Sequence, residues 1–391
     1  MLPFLDHTSE VFASDPHGTL RAAREESWIV ETPTGLGVLT YPACNVVIAD
    51  PGFRPGVFEL MRRAGSGGAP ADAGRTLLGS EGVDHQQLRH VVAPWFTPRR
   101  INTLRVQTAD LAHKLVTDVS AAGTSEFMAD VARRIPPTVF CWMVGCDVER
   151  GPELAATSAI ALQAFSGDPA VMGDVVAAIR VLRRFADELI EEKRAAPGDD
   201  VTSALVTAID DGLLTERDGQ SLLTELLSAS VDNTTNSMGL ALWLLCRHPD
   251  QWARLATETA LMERAVEECA RFEPSIRHGN HVNDEAVDLL GYSVPAGTLM
   301  TVYLAAAHRD PDVFADPDRF DVARQTTQPQ LTFGLGRHYC IGAALARMAV
   351  QETLRAVVTS WREPRLLPGL EVETALTGEV RALPLEFRAG S

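Results

Sequence analysis

The chain has 391 residues, with 52 Asp and Glu against 35 Lys and Arg and a formal net charge of −17; this balance argues against nucleic acid as a partner, because phosphate binding needs clustered basic residues. Its six cysteines (Cys44, Cys141, Cys146, Cys246, Cys269 and Cys340) form no C-x-x-C pair and stand mostly in apolar contexts, against a disulfide framework or zinc site and for a reducing cytoplasm. No apolar run reaches the ~18 residues of a membrane span, and the N-terminus lacks a charged-then-apolar signal pattern, so no membrane partner is expected.

No linker, repeat period or low-complexity tail divides the chain, and residues 1–391 read as one domain, with the Gly/Pro/Ala run at 64–74 as a surface loop. Residues 28–50 alternate polar and apolar and predict a small hairpin. Helical periodicity then dominates, over 86–94, 99–119, 127–144, 151–165, 172–194, 201–210, 216–247, 251–272 and 341–361. Strands return at 288–303, around a turn at Gly291–Gly297, and at 370–387. The expected class is mainly α with a minor β portion.

The longest helix opens on a capping-box pair, Thr215 and Asp218, and stops at His248-Pro249. It is apolar over much of its circumference, which predicts a central position. Yet its middle, Ser228 to Ser237, carries eight polar residues in ten, costly in a buried helix unless each finds a hydrogen bond. Two readings compete: Ser/Thr side chains bonding back onto their own helix or facing solvent, or a polar kink that lines a cavity.

Near the C-terminus, Phe333-Gly334-Leu335-Gly336-Arg337-His338-Tyr339-Cys340-Ile341-Gly342 runs into Ala343-Ala344-Leu345-Ala346-Arg347. Glycines let the backbone approach something bulky and flat. A thiol before a helix N-terminus is expected to rest as thiolate. With Phe333 as an aromatic lid and Arg337 beside it, Cys340 suits an axial ligand to haem iron. The whole stretch resembles the haem-binding loop of soluble bacterial cytochrome P450 enzymes.

The rest of the chain extends that resemblance over about 85–387. Glu268 and Arg271, within Ala265–Pro274, resemble the family's E-x-x-R helix, and Pro317-Asp318-Arg319-Phe320-Asp321 its meander; the resemblance makes Arg319 the third member of a structural charge cluster. His85-Gln86-Gln87-Leu88-Arg89 is similar to the helix that holds the haem propionates, so His85, Arg89 and His338 are implied donors. The family's further arginine donor is replaced by His281, which leaves Arg277 to face the substrate. In the family's central-helix motif this chain keeps Thr234 but places Val231 for glycine and Asn233 for the acid, with Asp232 one place earlier.

What the resemblance implies is a haem-thiolate monooxygenase with haem b (iron protoporphyrin IX), Cys340 as metal ligand and Phe333, Gly334 and Gly342 around the cofactor. Thr234 with Asn233 or Asp232 would deliver protons during O2 activation, and Val231 would narrow the pocket. Electrons would come from a ferredoxin and an NAD(P)H-dependent ferredoxin reductase, docking near Arg99, Arg100, Arg337 and Arg347; the enzyme would act as a monomer. Ser230, Val231, Thr235, Ile276, Arg277, His278 and the 378–380 turn are the candidate substrate pocket, with 60–82 as its lid. That polar lining suggests a natural product such as a polyketide or small cyclic peptide. Oxidative coupling or ring closure without net oxygen insertion is the alternative that Asn233 motivates.

Overall fold

The computed structural model describes residues 1–63, 74–163, 169–375 and 377–390. The expected surface loop at 64–74, part of the proposed lid at 60–82 and the end of the helix expected at 151–165 therefore lie largely outside the described residues.

The central helix spans Glu216–Arg247, and its capping box is formed: Thr215 accepts from the Asp218 N–H while the Asp218 side chain accepts from the Thr215 N–H. From Met238 to Leu245 it is buried on every side, as an all-round apolar helix must be. The helices Ile135–Val144, Gly151–Leu162, Met172–Ala195, Met262–Phe272 and Ala343–Ser360 pack around it. A five-stranded sheet lies to one side, in the order Ile29–Thr32, Gly35–Val38, Leu299–Tyr303, His278–Asn283, Phe53–Pro55. Its pairs are antiparallel except Gly35–Val38 with Leu299–Tyr303. A three-stranded sheet joins Thr124–Glu126, Pro384–Ala389 and Trp361–Leu366.

Several boundaries differ from expectation. The hairpin is real over 29–38, but Tyr41–Ala49 is a helix with Pro42 in its first turn, where a missing N–H costs nothing. The segment 127–144 divides into a π turn, Met128–Ala132, and the helix Ile135–Val144, which restarts at Pro136-Pro137 because proline cannot continue the hydrogen-bond ladder behind it. The segment 251–272 splits between Pro249–Thr257 and Met262–Phe272; the Thr257 hydroxyl competes for the carbonyls of Ala253 and Arg254 at that break. Tyr292–Val294 is a strand paired with Val287–Leu289, so the turn sits at Leu290-Gly291, both at positive φ, rather than across 291–297.

The central helix is unbroken. It stays helical through 228–237, and the hydroxyls of Ser230, Thr235 and Ser237 donate to the carbonyls of Leu227, Val231 and Asn233. Its N-terminal half also grips the segment after residue 73. Asp218 accepts from the Arg75 guanidinium at 2.8 Å, and the Glu225 carboxylate accepts the N–H groups of Leu77 (2.7 Å) and Leu78 (2.8 Å).

The buried Glu268 carboxylate takes two hydrogen bonds from Arg271, at 2.7 and 2.9 Å. The third member of the cluster is Arg324, whose Nε donates to Oε1 at 3.0 Å, beside the Asp321 N–H at the same distance. Arg319, expected in that place, points outward: its side chain is 64% exposed and pairs with Asp321. The difference arises because Arg324 folds back inside the meander, where its guanidinium also serves the carbonyls of Ala315, Asp316 and Arg319. Removing a buried partner strands a charge, whereas an exposed pair contributes little. Arg324→Ala should therefore destabilise the folded protein by about 3 kcal/mol, the low end because Arg271 remains. Arg319→Ala should stay within about 0.5 kcal/mol; urea unfolding of both variants checks the contrast.

Candidate active site

Cys340 is aimed by a short loop whose geometry demands glycine twice. Gly334 and Gly336 sit at φ +67° and +63°, the left-handed region where a Cβ is strained; Gly342, at φ −84°, carries no such demand. The Cys340 N–H closes the loop onto the Phe333 carbonyl at 2.8 Å, and the helix Ala343–Ser360 follows. Arg347, one turn into that helix, holds the loop from beneath. Its guanidinium lies 4.1 Å from the Phe333 ring centroid, donates to the Tyr339 hydroxyl at 3.1 Å and pairs with Glu267.

The Cys340 thiol opens into a cavity of about 700 Å³. The loop and Leu345, Ala346, Ala349 and Val350 line one side; the central helix faces it with Ala229, Ser230, Asp232, Asn233, Thr234 and Ser237. The strand His278–Asn283 closes a third side with His278, Asn280 and His281. Burial pushes the Cys340 thiol above its ordinary value, opposed by the Gly342 N–H and the charges of Arg347 and Arg89. Desolvation outweighs the helix terminus in the protein alone, and a bound metal ion would supply the charge that removes the proton.

The donors expected around a haem converge. His85 is buried, 4.5 Å from the His338 ring, and its Nε2 has no partner; the Nδ1 of His281 is likewise buried and unpartnered. Orphaned buried donors are rare enough to indicate a missing acceptor, and a haem carboxylate is the acceptor that fits. Arg89 donates to the carbonyls of Arg337 and Tyr339, bracing the loop. Sequence reasoning missed Glu81, one turn before His85, which contacts His338 at 2.9 Å and Arg337 at 3.2 Å.

Other assignments separate. Ser230, Ile276 and His278 line the cavity, as do Phe333, Gly334 and Gly342. Val231 does not narrow it, because its side chain turns into the apolar core. Thr235 is buried with its hydroxyl spent on Val231, and the 378–380 turn also lies outside the lining. Arg277 is a clear departure: buried behind the wall, it pairs with Glu273, which Arg309 (3.1 Å) and His17 (2.8 Å) also reach. Burial raises the Glu273 carboxyl, but His17 and the two guanidinium groups more than offset it and hold it ionised. Of the proposed lid, Leu78 lines the cavity.

A thiol on a glycine loop thus faces a polar helix across one cavity, which His281, with its unpartnered Nδ1, also lines. The cytochrome P450 family model matches residues 71–363, and the chain belongs to that family, an oxidoreductase of the monooxygenase type whose cofactor is haem. It is 32% identical to luteothin monooxygenase of Streptomyces thioluteus over 99% of this chain and 97% of the relative. It is similar in fold to CalO2 (TM-score 0.91, 22% identity, all of both chains). It also resembles CxnD, a P450 for C–S bond formation in chuangxinmycin biosynthesis (TM-score 0.87, 25% identity, 99% of both chains). No helix among the described residues is long and apolar enough to cross a membrane.

Burial lowers the His281 pKa from 6.5 to about 4. Between those values the unfolded chain binds a proton that the folded chain refuses, so this contribution to stability is complete above the unfolded pKa and is lost as pH falls toward 4. The loss amounts to at most about 3 kcal/mol. In the haem-free chain, His281→Asn should remove that part of the acid sensitivity, read as a shallower fall of unfolding free energy with pH than the parent shows.

Proposed function

We propose that the chain is a bacterial natural-product monooxygenase that binds haem b with Cys340 as axial thiolate and His85, Arg89, His281 and His338 toward its propionates. The observation that carries this reading is the Cys340 thiol and the Thr234 hydroxyl facing one cavity. When bound, the haem supplies O2 activation with two electrons and transfer of one oxygen atom to substrate. The protein's part is positioning and proton handling. Thr235 and Ser237 spend their hydroxyls on the helix backbone, whereas the Thr234 hydroxyl and the Asn233 amide have no partner among the described residues and are left for the cavity. Asn233 donates and accepts hydrogen bonds but does not relay a proton as an acid does. Asp232, beside it, brings the nearest carboxyl. Burial raises its pKa, with Glu379 adding to the effect, so it keeps a proton nearer to neutral pH than an ordinary aspartate.

Electrons come, in this reading, from a ferredoxin and its NAD(P)H-dependent reductase. Arg100, Arg337 and Arg347 are tied to Asp199, Glu81 and Glu267. Arg99, exposed and without an ion pair among the described residues, is left as the first contact for an acidic partner. The protein would work as a cytoplasmic monomer, one domain over 1–391.

Oxidative coupling or ring closure is the second reading. It is favoured by Asn233 facing the cavity where the family carries an acid, and by the likeness to CxnD. Product mass separates the two: a gain of one oxygen supports monooxygenation, a loss of two hydrogens supports coupling. In the first case Thr234→Ala should lower product per NAD(P)H on the order of 100-fold with substrate binding retained. Cys340→Ser should abolish the thiolate-type reduced-CO absorption band.

A further inference from the structure

The charges around the cavity leave one carboxylate unanswered. Glu273 touches the cavity but is saturated by His17, Arg277 and Arg309. Asp232 is different. It enters from the flank of the helix face led by Asn233 and Ser237, and only its Oδ2 is engaged, by the Asn236 amide at 3.2 Å. Its Oδ1 has no partner and no cation pairs with it among the described residues. Arg133, the cation that acts on it from nearby, is spent on the carbonyl of Arg381 at 2.6 Å and lies 3.9 Å from Glu126. Residues 64–73 and 164–168 contain Asp72 and Asp168 and no Lys, Arg or His. Arg62, Arg63 and Arg75, which flank the first of these stretches, are held by Glu59 and Asp218.

The chain thus places a carboxylate, with Glu379 adding negative potential behind it, inside a largely apolar chamber and pairs no cation with it among the described residues. Alone, such a carboxyl holds its proton; it ionises once a cation arrives to stabilise the charge, and with no cation paired to it among the described residues that cation would come with the ligand. Resting on the monooxygenase reading, we infer that the substrate carries a basic nitrogen, protonated in the complex, which Asp232 anchors beside Asn233 and Thr234. The Asn236 amide holds the carboxylate and is itself fixed through Oδ1, which accepts the Val380 N–H at 3.0 Å, so the anchor is preorganised. Asp232 is a specificity residue here. An ammonium delivered beside Thr234 would also place a proton donor where Asn233 provides none.

The test uses the haem-loaded protein and a matched pair of probes, benzyltrimethylammonium and its uncharged carbon isostere neopentylbenzene, neither of which can ligate iron. Binding is read by equilibrium dialysis and by the Soret band in the parent and in Asp232→Asn. The parent should favour the cation relative to the variant by on the order of 30-fold, while neopentylbenzene binds both equally and reports an intact chamber. No cation preference in the parent, or one that survives in Asp232→Asn, overturns the anchor. Loss of product per NAD(P)H in Asp232→Asn with binding of both probes unchanged also overturns it and assigns Asp232 to proton handling. The reduced-CO spectrum is recorded first: a neutral-thiol band there would count against the haem-thiolate reading, which dialysis does not depend on.

Discussion

Everything at this site depends on keeping a polar loop rigid under an open chamber, and two adjacent glutamates on the helix Met262–Phe272 do it. Glu268 turns inward to Arg271 and Arg324 and fastens the meander. Glu267 turns the other way, to Arg347, whose guanidinium stacks on Phe333 and reaches Tyr339. One helix therefore clamps the Cys340 loop from its stem and from its flank. The buried Glu268 pair adds little net stability but is costly to break singly, and the half-exposed Glu267–Arg347 pair adds little by itself, so their value lies in fixing where the thiol points.

What was legible in the sequence was local. The capping box at Thr215 and Asp218, the Glu268–Arg271 pair one turn apart, the glycines of the loop and the helix that follows all follow from contacts within a few residues. What was not legible depends on distant partners. Arg277 is withdrawn from the cavity by His17, 260 residues earlier in the chain, and by Glu273. Arg324 displaces Arg319 because the meander coils around it, which no spacing rule announces. Val231 and Thr235 fall on the core side of the helix, a choice its packing neighbours make and no local spacing announces.

The polar middle of the central helix answers to both readings of it at once. Thr235 and Ser237 bond back onto the backbone, which satisfies their buried hydroxyls within the helix. Asp232, Asn233 and Thr234, in the same two turns, keep polar atoms for the chamber. The sequence could not apportion these roles, since all are short polar side chains; the packing partners on each face did so. Ser237 adds a further tie across the chamber edge, with its hydroxyl 3.0 Å from that of Ser275.

The grip of the central helix on the segment after residue 73 bears on how such an enzyme diversifies. Arg75 is moored by Asp218, and Leu77 and Leu78 hang by their backbone N–H groups from Glu225. Backbone moorings are indifferent to the side chain they carry. Position 78, which contributes to the chamber wall, is thus free to vary in size and polarity while its main chain stays in place. Lineages sharing this framework could explore new substrates through that residue without first repairing the scaffold.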